Sequence, residues 1–148
     1  MQLVKKLFKR YFIDAMGAMA QGLFASLLIG TIFTALGPRL GFLADIGKYA
    51  QAMAGPAMAA AIAYSLKAHP LVIFSSAAVG YAANSLGKAG GPLAVFFIAI
   101  IAAEIGMLVS KKTKVDIIVT PFVTIFIGGV LSIYVAPLIG KLVGHISD

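Results

Sequence analysis

A chain of 148 residues that is 61% hydrophobic and only 11% charged has too few polar side chains to cover a soluble globule, since soluble domains carry about a quarter charged residues. Its solvent is a lipid bilayer, and the absence of cysteine removes disulfides, thiolate metal sites and cysteine nucleophiles. The net charge of +7 sits in short runs that flank apolar stretches, where membrane proteins keep cytoplasmic charge, so nucleic acid is not expected as a partner.

In MQLVKKLFKRYF, the apolar residues Leu3, Val4, Leu7, Phe8, Tyr11 and Phe12 alternate with Lys5, Lys6, Lys9 and Arg10 at a helical period. Residues 1–13 are therefore expected to form an amphipathic helix lying on an anionic membrane surface. The apolar run that follows is too long for a signal peptide and has no clear cleavage site, so it reads as a permanent span.

Five apolar segments are expected within 14–140, in a single transmembrane domain. The first, 14–36, closes at Gly37-Pro38. PRLGFLADIGKY then reads as an interfacial loop or a short surface helix. The second segment, 50–66, is short, rich in alanine and interrupted at Gly55-Pro56. The third, 70–86, opens on Pro70, and the fourth, 92–110, on Pro92. The fifth, 117–140, has Pro121 near its start and Pro137 near its end. A crossing takes about 20 helical residues. The first, fourth and fifth segments reach that length, while the second and third are short enough to be tilted or re-entrant. The fold class is all-α, a polytopic integral membrane protein with about five membrane segments.

With the N-terminus in the cytoplasm and five crossings, Lys5, Lys6, Lys9, Arg10, Lys67, Lys111, Lys112 and Lys114 fall inside. Arg39, Lys48, Lys88 and Lys141 fall outside, an asymmetry in the direction of the positive-inside rule.

Small residues recur every four positions, as Ala18, Gly22, Ser26, Gly30 and Thr34, as Ser76, Gly80 and Asn84, and as Thr120, Thr124, Gly128, Ser132, Ala136 and Gly140. Such stripes share one helix face and are expected to pack helix on helix. The Gly-Pro pairs at 55–56 and 91–92 hint weakly at an internal repeat.

Few groups can carry chemistry. Glu104 is the one charge inside its apolar segment, about 10 Å along a helix from Lys111. Its helical neighbours Ile100, Ile101, Met107 and Leu108 offer no partner. Either Lys111 reaches back to it, or it meets a substrate or proton in a polar cavity, the usual role of ionisable groups within membranes. Asn84 and Gln21 are further polar candidates for contacting a hydroxylated solute, or for binding a neighbouring helix. Thr113 and Asp116 fit a capping box. Asp14 reads as a cap or a partner of Lys9 or Arg10, and His69 carries no clear signal. No catalytic motif, metal cluster or cofactor site is expected.

The stretches YFIDAMGAMAQGLFASLLIGTIF, GPAMAAAIAYSLKAHPLVIFSS and AEIGMLVSKKTKVDIIVTP resemble bacterial phosphotransferase-system sugar permease (EIIC) domains, over nearly the whole chain. The resemblance implies a permease domain in the bacterial inner membrane, passing a sugar while a separate EIIB-type subunit carries the phosphate. Members of that family are about twice as long, so the chain reads as a first half, completed by a second half or by homo-oligomerisation. The alternatives are a non-transporting membrane scaffold or regulator, and a channel-like protein.

Overall fold

The structure is a computed structural model that describes residues 2–110 and 116–147. Among these residues the chain is helical throughout, joined by turns.

The first helix, α1, runs without interruption over Gln2–Leu36. The expected surface helix and first span are one continuous rod, because nothing in the sequence breaks a helix before Gly37-Pro38. Two π-helical stretches, Lys9–Asp14 and Phe24–Leu28, are built into it. Each shifts the side-chain register of the residues beyond it.

The segment expected as a loop or surface helix is the helix α2, Gly41–Ala52. It does not stand apart but folds back along α1. A side chain on Gly37 would meet Ala44, one on Gly30 would meet Gly47, and one on Gly22 would meet the carbonyl of Ala57. Numbers that fall on one side and rise on the other mark an antiparallel pair. The return path continues into α3, Ala54–Ser65, after a break at Met53, where ψ is 5°. The break comes before Gly55-Pro56, not at it. Pro56 stands in the first turn of α3, where a missing N–H breaks no intrahelical bond.

A turn carrying Lys67 at φ 64° leads to α4, Pro70–Gly87. His69 begins that helix as its N-cap. Its Nδ1 accepts a hydrogen bond from the Leu71 amide at 3.3 Å, and Pro70 takes the first helical position. Left-handed backbone costs a residue with a Cβ about 1 kcal/mol. Lys67→Gly is therefore expected to leave the fold intact and raise its stability by about 0.5 kcal/mol, after glycine's entropy in the unfolded chain is deducted. Chemical unfolding in detergent micelles would register this as a small upward shift of the midpoint.

Helix α4 is joined to α5, Gly91–Val109, by a single 3-10 turn over Lys88–Gly90. The two helices pack side by side as a hairpin. Helix α6 spans Asp116–Tyr134, and α7 spans Ala136–Ser147. The fifth expected segment is thus divided at Val135, since Pro137 cannot continue an existing helix but suits the first turn of a new one.

Among the described residues, three stretches are long and apolar enough to cross a membrane: Gln2–Leu36, Pro70–Val109 and Asp116–Tyr134. The middle one contains the α4–α5 hairpin. The 12 residues of α3 reach only about 18 Å, and α2 carries Asp45 and Lys48. These criteria do not establish the expected count of about five.

Helices α3, α4 and α5 make the centre. Met58, Ile62, Val72, Val79, Val95, Phe96 and Ile98 are buried there among alanines. Around the outside, Phe24, Ile32, Phe74, Leu108, Ile117 and Phe126 are exposed. Apolar surface on that scale suits hydrocarbon and would be a liability in water.

The small-residue stripes turn inward. Gly106 packs against Thr124 and Val72, and Gly128 against Val79, bringing α5 and α4 onto α6. Buried Ser26, Ser76, Thr124 and Ser132 each donate to the carbonyl four residues earlier. Their polarity is satisfied within their own helix, which leaves a thin, dry face for a neighbour to approach.

Candidate functional site

Arg10 lies in the first π-helical stretch of α1, and Glu104 lies in the last two turns of α5. The fold brings them together across 94 residues of sequence, with Arg10 Nη2 donating to Glu104 Oε1 at 2.6 Å. The same nitrogen donates to the backbone carbonyl of Leu66 at 3.1 Å. Leu66 directly follows α3, and carbonyls at a helix end lack intrahelical partners. One guanidinium therefore ties α1, α5 and the end of α3 together.

The pair is neither sealed nor free. The Arg10 and Glu104 side chains are 34% and 35% exposed. A charge-assisted bond of this length is a strong one, and breaking it leaves an uncompensated charge beside apolar helices. Apart from that bond, the accessible part of the carboxylate can accept hydrogen bonds from a hydroxylated or cationic group.

On sequence grounds Asp14 reads as a cap or as a partner of Lys9 or Arg10. In the structure Asp14 is exposed and makes no cap bond to the helix it precedes. Lys111, the partner considered for Glu104, lies outside the described residues, as does Thr113 of the expected capping box. Asp116 begins α6 and accepts a bond from the hydroxyl of Thr120.

Asn84 occupies a different place. A Cβ on Gly55 would come within 2.8 Å of the Asn84 Cβ, and a Cβ on Gly91 would run into Asn84 Oδ1. Asn84 is thus packed between the first turns of α3 and α5, beside both Gly-Pro pairs. Thirteen residues of α5 separate Gly91 from Glu104, about 20 Å along the axis. Gln21 is exposed on α1, next to the buried stripe residue Gly22. Glu104, Asn84 and Gln21 do not converge on one point.

The cavities lie elsewhere. One of about 200 Å³ is lined by Tyr11, Phe12, Phe96, Phe97, Ile100 and Ile101. Another, of about 530 Å³, is lined by Tyr64, Ser65, Lys67, Ala68, Pro70 and Ile73, beyond the end of α3. Neither is lined by Glu104, Asn84 or Gln21. Among the described residues no three histidine, aspartate or glutamate side chains gather to hold a metal ion.

A signal for the Arg10–Glu104 pair did exist in the sequence. A lone carboxylate in an apolar segment calls for an opposite charge, and Arg10 is one of several basic residues in the chain that could supply it. The separation of 94 residues hid the pairing, because only the packing of α1 on α5 shows which basic residue arrives.

The family model described as Phosphotransferase system, EIIC matches residues 13–148. No curated protein and no solved structure matches the chain.

Proposed function

This chain belongs to the phosphotransferase system EIIC family, and on that premise we propose that it is the membrane permease for a sugar or similar small polar solute, phosphorylated by a separate EIIB-type subunit. Family membership and the long apolar helices make it a multi-pass membrane protein with a permease-type role in a phosphotransferase system. The match over residues 13–148 is the observation that carries the proposal.

Within it, Glu104 is the leading solute contact. Its carboxylate is partly accessible, and its bond to Arg10 can be exchanged for the hydroxyls of a solute. Asn84 serves as a polar contact near the α4–α5 turn, and Gln21 as one along α1. Arg10, Leu66 and Glu104 occupy the end of the bundle away from Lys88, which supports placing the N-terminus and its basic residues on the cytoplasmic side of a bacterial inner membrane.

The rival is a non-transporting scaffold assembled through its small-residue faces. It is favoured by the apolar character of the cavity beside Tyr11 and Phe96, and by the structural partner that Glu104 possesses. Uptake of labelled sugars by cells supplying the phosphotransfer proteins separates the two. A charged hydrogen bond contributes about 1.5–3 kcal/mol, so Glu104→Gln should lower uptake at least about tenfold while the protein still inserts. The exchange Arg10→Glu with Glu104→Arg should restore folding but not uptake. Full uptake by Glu104→Gln would remove Glu104 from the solute path. A wild-type protein that transports no sugar, and that no sugar stabilises against heat, would favour the scaffold.

A further inference from the structure

At the end of the α4–α5 hairpin, α7 lies across the turn. Gly140 sits so close to the carbonyl of Gly87 that a Cβ there would collide with it, and a Cβ on Gly90 would come to 3.0 Å from the carbonyl oxygen of Ile139. Beside this crossing lies an open recess of about 270 Å³ lined by Leu86, Lys88, Ala89, Pro137, Gly140 and Lys141. It joins two lysines that are 53 positions apart in the sequence.

Three features distinguish the cavity. Both lysines are exposed, and among the described residues neither is ion-paired, the Arg10–Glu104 pair being elsewhere. Among the described residues no carboxylate lines the cavity, so two cations share a recess with no described acidic side chain beside them. Lys88 is also held at φ 48° and ψ −115°, a conformation that costs a residue with a Cβ and that a glycine would adopt freely.

Leu86 also lines the recess, and on α7 Leu138 and Leu142 are 62% and 59% exposed, within one turn of Lys141. Two exposed lysines with exposed aliphatic side chains near them in the chain match a ligand that is anionic at one end and hydrocarbon at the other. We propose that Lys88 and Lys141 bind the phosphate of an anionic phospholipid, whose acyl chains lie along Leu138 and Leu142. The membrane that surrounds the protein supplies that ligand. The proposal needs only membrane embedding and is independent of which solute the protein carries.

The test uses the full chain in nonionic detergent, titrated with phosphatidylglycerol or with phosphatidylcholine and followed by native mass spectrometry. Phosphatidylglycerol should be retained in preference to phosphatidylcholine. Each basic residue near a lipid surface contributes enough that losing two should weaken phosphatidylglycerol binding at least about tenfold. Lys88→Gly with Lys141→Gln is the variant of choice, because glycine suits the backbone at 88 and the fold should survive. The single variant Lys141→Gln, on the exposed surface of α7, should show a smaller loss. Arg39→Gln with Lys48→Gln removes the same charge from exposed positions outside the recess and should leave binding nearly unchanged. Equal retention of the two lipids would overturn the proposal, as would an equal loss in that control variant. Inorganic phosphate alone competing for the site would overturn the lipid assignment in favour of a free anion.

Discussion

Gly80→Val is expected to be the most damaging single substitution in the protein, costing about 3 kcal/mol. Gly80 on α4 and Gly55 on α3 face each other so closely that a Cβ on either would collide with the backbone carbonyl of the other. A flexible side chain could swing aside, but a carbonyl within a helix cannot move without carrying its helix along. The methyl groups of valine would therefore push α3 from α4 and open the alanine-rich seam between Ala59 and Ala83. Lipid offers little drive to close that gap, since helices in a bilayer associate through close packing. Gly17→Ala and Gly129→Ala are the controls, because a Cβ at either position meets nothing within 4 Å. They should be neutral, or stabilising by up to about 1 kcal/mol through helix propensity. Unfolding midpoints in mixed micelles compare the three directly. Equal midpoints for Gly80→Val and Gly129→Ala would show that α3 and α4 do not meet in this way.

Removing one partner of the Arg10–Glu104 pair should rank next. Breaking a fully buried ion pair costs about 3–5 kcal/mol, and solvent screening lowers that figure for groups about one-third exposed. Glu104→Ala is expected to cost about 1–2 kcal/mol. Arg10→Ala should cost more, because it also frees the Leu66 carbonyl. The double variant should be less destabilised than the two single changes summed, by about 1 kcal/mol. Arg10→Lys should fall between wild type and Arg10→Ala, since an ammonium is a compact point charge on a differently shaped stem. Unfolding free energies for this set give the coupling directly. Additive losses would mean that the two charges do not interact.

Much of the architecture can be read from the chain. Turn chemistry marks Gly37-Pro38, His69-Pro70 and Gly91-Pro92, and the helices end or begin at each. The four-residue spacing of Thr120, Thr124, Gly128 and Ser132 identifies a face, and that face is buried. The junction between residues 13 and 14 was not legible. A change from amphipathic to apolar character marks a change of environment, but it does not bend a backbone that no residue interrupts. The fate of α2 was hidden for the opposite reason. Asp45 and Lys48 give PRLGFLADIGKY a surface character, while Gly47 supplies the contact that holds the helix against Gly30.

The sequence by itself determined the solvent, the helical class, the positions of most turns and the faces along which helices meet. These follow from local properties: transfer of apolar side chains into lipid, the missing N–H of proline, and the periodicity of the helix. Tertiary structure alone decided which faces meet which. It returned α2 and α3 along α1, gave Glu104 the guanidinium of Arg10, and gathered Lys88 and Lys141 around one recess. Those pairings depend on steric fit and charge compensation between residues tens of positions apart. Many partners in the sequence are chemically acceptable for such contacts, and only the packed chain brings one of them within reach.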